Sequence, residues 1–166
     1  MQTISISFVR RARAAAVATA AVLLVAGSAS AAPTCRAVHG RFDIRPAQNC
    51  TSPVGICGEG AFTGGLRGDY YSPFLTIVPT ADTPTTGVVL FTAEAIVQAS
   101  VGGWQGEITF KEGGAFNGVG GQFAELFNVV NGSGDFLGAS GVLTATGSVD
   151  GTLNGGGTYD GFICVQ

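Results

Sequence analysis

Two carboxylates stand out by the company they keep. Glu94 lies in the otherwise uncharged run from Val88 to Val97 and shares alternate positions with Val88, Leu90 and Ile96; Glu125 shares them with Phe123, Phe127 and Val129. A carboxyl group on such a face, turned into a closed apolar space, loses hydration, holds its proton more tightly and can exchange it with a bound molecule. On an outer wall or in an oligomer contact the same residue is a solvated or paired acid, and alternation alone does not choose between the two. On this ground Glu94 and Glu125 are the candidate catalytic residues. Tyr70 and Tyr71 are the candidate ligand-binding residues. Adjacent side chains of a strand point to opposite faces, so one ring faces inward, where it donates a hydrogen bond to a ligand or fills the core.

Other chemistry has less to work with. His39 is the only histidine. It alternates with Arg41 and Asp43 on the polar face of its segment, which leaves a serine-type nucleophile without a buried base. Gly132 to Gly138 has the glycine density of a phosphate-cradling loop. Nucleotide loops, however, lead from a strand into a helix whose N-terminus faces the phosphate, and the segment Gly141 to Val149 that follows reads as strand, so a hairpin is expected. Two-residue cysteine spacing is absent, and neither a metal site nor a cofactor is expected.

The elements that must position these residues begin after a leader. Arg10, Arg11 and Arg13 precede the apolar run Ala14 to Gly27, and Ala29-Ser30-Ala31, with Ala32 as the alternative end, has the small-x-small form of a cleavage site. Residues 1–32 therefore read as a signal peptide and 33–166 as one exported domain, bound for a periplasm or the medium. No bulky apolar pair follows Arg10-Arg11, so general secretion is preferred to twin-arginine export. Cys35 follows Pro33-Thr34 and not a small apolar run, so no lipid or membrane anchor is expected. The whole chain carries a formal charge of −3, and losing the three leader arginines leaves −6. The remaining cations, Arg36, Arg41, Arg45, Arg67 and Lys111, form no stripe that would neutralise a row of phosphates. Nucleic acid and anionic membranes are poor partners for such a surface.

All four cysteines, Cys35, Cys50, Cys57 and Cys164, lie in the exported part, where an even number means disulfides and sequence leaves three connectivities open. The turn residues Ser52-Pro53-Val54-Gly55 favour Cys50 with Cys57, which pairs Cys35 with Cys164 and ties the first strand to the last. Between the cysteines, helical periodicity is hard to find. Val38, Phe42 and Ile44 alternate with His39, Arg41, Asp43 and Arg45, and Trp104, Ile108 and Phe110 with Gln105, Glu107, Thr109 and Lys111. Further strands are expected near 56–63, 66–78, 87–98, 122–131, 141–149 and 157–165, with turns at 64–65, 79–86, 102–103, 113–121, 131–140 and 150–156. About eight strands suit a small closed antiparallel barrel, an all-β fold. A Gly-x-Phe-x-Gly frame recurs around Phe62, Phe116 and Phe136, without implying a repeat architecture.

Four segments carry a resemblance. Asn131-Gly132-Ser133-Gly134-Asp135-Phe136-Leu137-Gly138-Ala139-Ser140-Gly141 resembles the glycine-rich hairpin of bacterial barrels related to allene oxide cyclase and the dirigent proteins. Phe62 to Gly68 is similar to their early strand pair, Trp104 to Phe110 to their middle strand, and Gly157 to Phe162 to their closing strand. The resemblance implies an eight-stranded barrel, often a homo-oligomer, whose cavity holds a small apolar ligand; none of the relatives' catalytic residues aligns onto this chain. Two functions follow as expectations. One is a secreted barrel that binds a small apolar molecule in its lumen, isomerase-like or dirigent-like. The other is a non-catalytic exported module serving structure or self-association.

Overall fold

The computed structural model describes residues 32–166; the expected signal peptide and its cleavage site lie outside the described residues. Eight strands follow in chain order: β1 (Thr34–Pro46), β2 (Cys57–Gly64), β3 (Gly68–Pro79), β4 (Val88–Val101), β5 (Trp104–Asn117), β6 (Gln122–Gly132), β7 (Ser140–Val149) and β8 (Gly155–Val165). Each pairs antiparallel with the next, and β8 returns to β1 to close the barrel. The helical pieces are one turn, α1 (Thr83–Thr86), between β3 and β4, and a 3-10 turn (Gly134–Phe136) between β6 and β7.

Closure is staple-like at the β1/β8 seam. Eleven residue pairs, Thr34 with Val165 through Ile44 with Gly155, run along it. Cys35 and Cys164 are directly opposite in that ladder and are joined. Cys50 is joined to Cys57 at the start of β2, and the Tyr71 hydroxyl donates to Cys57 Sγ and accepts from the Thr51 amide at the same corner. Two disulfides fit an oxidising, extracellular or periplasmic setting. Among the described residues no helix is long and apolar enough to cross a membrane.

One half of the lumen is solid. Phe62 lies at its centre, with ring centroids 5.1 Å from Tyr70, 5.3 Å from Tyr159, 5.6 Å from Phe42 and 6.1 Å from Phe127. Such offset and edge-on contacts add to the burial of the rings themselves. Ala95, Ala99 and Ala145 face these rings across the lumen and leave the room they fill. The Tyr159 hydroxyl is bonded to both the amide and the carbonyl of Leu66, which ties β8 to the β2–β3 turn. The end of the barrel nearest the termini is plugged by Phe136, with Trp104 edge-on against it and the Arg36 guanidinium 4.5 Å from the centre of the Trp104 ring.

The strands depart from the sequence expectation in two places. β5 runs on to Asn117, through the glycines expected to form a turn, because Gly113 and Gly114 pair with Thr92 and Phe91 of β4 on one side and with Leu126 and Glu125 of β6 on the other. In β3 the register shifts between Phe74 and Thr76. This bulge changes which residues point inward, so that Phe74 and Ile77 both line the lumen.

Candidate functional site

The other half of the lumen is open. At the end bearing α1 and the two disulfide-linked residues Cys50 and Cys57, the barrel encloses a cup of about 230 Å³. Its wall is almost wholly hydrocarbon, including Ile44, Ile77, Val89 and the rings of Phe74, Phe91, Phe116 and Phe123, and among the described residues Glu125 is its one ionisable side chain. Glycine explains why aromatic strands leave a hole here. A Cβ at Gly114 would come within 2.7 Å of the Phe91 ring, and one at Gly147 within 2.6 Å of Phe123. The two rings therefore lie flat against bare backbone on the wall, whereas in the solid half the rings reach across the lumen. At its rim the cup adjoins a shallow groove of about 690 Å³ that shares Ile56, Phe116, Val149 and Leu153 with it.

Beneath Glu125 lies a second carboxyl. Glu112 on β5 is 8% exposed; its Oε2 accepts a hydrogen bond of 3.1 Å from the Ser72 hydroxyl, and its Oε1 has no partner among the described residues. Glu112 pairs with Phe127 and Glu125 with Gly114 in the β5/β6 ladder. The two carboxyls are thus diagonal neighbours on the inner face, a spacing within reach of long side chains. Burial pushes the Glu112 carboxyl well above the usual range, the negative charge of Glu125 adds to this, and the Ser72 hydrogen bond opposes it. Burial pushes Glu125 up to about 8. Two such groups in a low-dielectric space resist ionising together and share protons as a pair.

The four residues singled out from sequence fall in different places. Glu125 faces the cup. Glu94 points outward from β4, directly opposite Lys111 on β5, and the two form an ion pair on the outer wall. The lumen face of that strand is the other one, Phe91, Ala93, Ala95 and Val97, all buried, because its small alanines accommodate the rings of the solid half. Tyr70 is the inward tyrosine, and it is a core residue: its hydroxyl donates to the Asp43 carbonyl at 2.8 Å. Burial, followed by the charges of Glu112 and Glu125, holds its phenol well above the usual range. Tyr71 points outward and holds the Thr51–Cys57 corner. His39 is exposed on β1.

Sequence reasoning missed Glu112. Its signal was present: it continues the alternation of Ile108 and Phe110, one residue before the glycines that read as a turn. Among the described residues no cluster of three or more potential metal-ligating side chains occurs, and the arrangement offers proton exchange and polar recognition within an apolar cup.

No family model and no curated protein matches the chain. Among solved structures, the chain is similar to a protein of unknown function from the DUF3224 family of Shewanella oneidensis MR-1, with a TM-score of 0.42 and 21% identity over 80% of this chain and 98% of that one.

Proposed function

We propose that this protein binds a small, largely apolar molecule in the open end of its barrel, in an extracellular or periplasmic compartment, with Glu125 meeting the ligand's polar group. The observation that carries this reading is the cup itself: an apolar wall of aromatic and branched side chains with one carboxyl in it. Ligand pockets combine these two properties, and at about 230 Å³ this one is below the common range of roughly 300–1,000 Å³, which restricts the occupant to a compact molecule or to one whose tail leaves along the adjoining groove. An isomerase-like or dirigent-like turnover adds one step to this binding, a proton exchanged between Glu125 and the ligand. Glu94 has no part in it, since its carboxylate is engaged with Lys111 outside the barrel.

Filling the cup tests the reading. Protein purified from its own host carries a retained small molecule in native mass spectrometry, and Val89→Trp, which places a bulky ring in the space, loses it while keeping the wild-type circular dichroism spectrum. Wild-type protein that stays free of ligand in its host and takes up no small hydrophobic probe overturns it.

A second reading, self-association, has its own support. Val78, Leu90, Ala115 and Ala124 are successive cross-strand partners on the outer wall, and Val78 and Leu90 are 52% and 49% exposed. An apolar row of this kind is suited to contact with a second copy. Light scattering coupled to gel filtration shows a dimer or larger assembly that Leu90→Lys dissociates; a monomer at every concentration excludes it.

A further inference from the structure

The wall of the cup is apolar apart from the carboxyl of Glu125. Its electrostatics are more specific than that. Glu125 stands in its wall with Glu112 buried behind it as its diagonal neighbour, and Glu112 Oε1 has no partner among the described residues. Among the described residues no positively charged side chain lines the cup. Above the carboxyls stand Phe74, Phe91, Phe116 and Phe123, with the Phe74 and Phe91 centroids 5.2 Å apart and their planes tilted by 48°. Aromatic faces carry negative charge density and attract cations, and rings surrounding a carboxylate are the arrangement that recognises organic ammonium groups.

We propose that the ligand of the cup is a hydrophobic amine, its ammonium group donating to Glu125 and its hydrocarbon part packed among the four phenylalanines, with the buried Glu112 standing behind Glu125. This rests on the reading of the cup as a ligand site. The chemistry is binding, without a covalent step: a protonated amine enters, and the carboxyl pair releases a proton to solvent as it becomes its counter-ion. The other titratable side chain facing the pair is Tyr70 from β3, which remains protonated. The inward positions beside the pair on the other strands, among them Phe42 of β1, Gly60 of β2, Ala93 of β4 and Ala145 of β7, carry no charge, and the Tyr159 hydroxyl of β8 is committed to Leu66. Ionisation of the pair therefore governs the pH dependence. An alkylamine, like a lysine side chain, stays charged to roughly pH 10. Amine affinity consequently rises from about pH 6 to about pH 8.5 as Glu125 gives up its proton, and a neutral ligand that accepts a hydrogen bond from a protonated carboxyl shows the opposite trend.

The test is calorimetric titration of the exported, disulfide-intact protein with three probes of one shape: 2-phenylethylamine, 2-phenylethanol and 3-phenylpropanoate. The amine is expected to bind about tenfold or more tighter than the alcohol at pH 8.5, with the propanoate weakest, and to lose about tenfold in affinity at pH 6. Glu125→Gln is expected to remove most of the amine preference over the alcohol, with an unchanged circular dichroism spectrum and disulfide content as the check that the variant keeps its fold. Equal or tighter binding of the alcohol, or an amine affinity that falls with rising pH, overturns the amine assignment and leaves the cup as a ligand site. If none of the three binds at millimolar concentration, both readings fail.

Discussion

Replacing Cys35 and Cys164 together by alanine lowers the stability of the barrel by about 4–5 kcal/mol in the chain-entropy account of disulfides. The bond joins residues 129 apart in sequence, so in the unfolded chain it ties nearly the whole domain into one loop. In the folded state it stands directly across the seam where β8 meets β1. Without it the same eleven-pair ladder must close by hydrogen bonding alone, and an opened seam exposes two strand edges. Urea unfolding followed by tryptophan fluorescence measures the loss, read from Trp104 against Phe136 at the plugged end. Removing Cys50 and Cys57 is the comparison. Their separation is 7, and a loop that short is worth only about 2–3 kcal/mol in the same account. A loss under about 1 kcal/mol for the Cys35 and Cys164 pair would mean that the seam ladder holds the barrel closed unaided.

Stability also falls as pH rises through the neutral range, because of the carboxyls under the cup. Both Glu112 and Glu125 have folded-state values raised above the ordinary 4.5, that of Glu125 to about 8. Between those limits the unfolded chain has lost protons that the folded barrel keeps. Unfolding then releases protons, and each contributes a slope of up to about 1.4 kcal/mol per pH unit against the folded state. The stabilisation is fully present below about pH 4.5 and is lost progressively towards pH 8. Discounted for the solvent that reaches Glu125, its share is roughly 2–4 kcal/mol, and Glu112 acts in the same sense. The double variant Glu112→Gln/Glu125→Gln is expected to flatten the profile and to be the more stable protein at pH 8. Asp150, whose carboxyl is held below the usual range by the Thr152 hydroxyl and by the amides of Thr152 and Asn154, acts in the opposite sense and only under more acid conditions. Denaturant midpoints from pH 5 to pH 8.5 test the slope; a wild-type protein whose stability climbs over that range, or a double variant with the wild-type profile, would refute it.

The alternation of Val38, Phe42 and Ile44 and of Trp104, Ile108 and Phe110 determined by itself that these segments are half-buried strands, because the two-residue period of a strand is a local property of its backbone. The spacing of turn residues determined that about eight such strands follow one another, and the even number of cysteines agreed with closure of first strand to last. For Glu125 and the pair of adjacent tyrosines, alternation also identified the residues that share a face. It did not say which face was the lumen. In β4 both faces are apolar, and the choice fell to the one with alanines only once the rings of β2, β5 and β6 had to be accommodated, which sent Glu94 outward to Lys111. The bulge at Phe74 and the passage of Gly113 and Gly114 through β5 are decided by pairing with neighbours on either side, and pairing is a relation between segments far apart in the chain. The cup is likewise tertiary. It exists because Phe91 and Phe123 recline on Gly114 and Gly147 of neighbouring strands, and Glu112 meets Glu125 only where β5 and β6 run side by side.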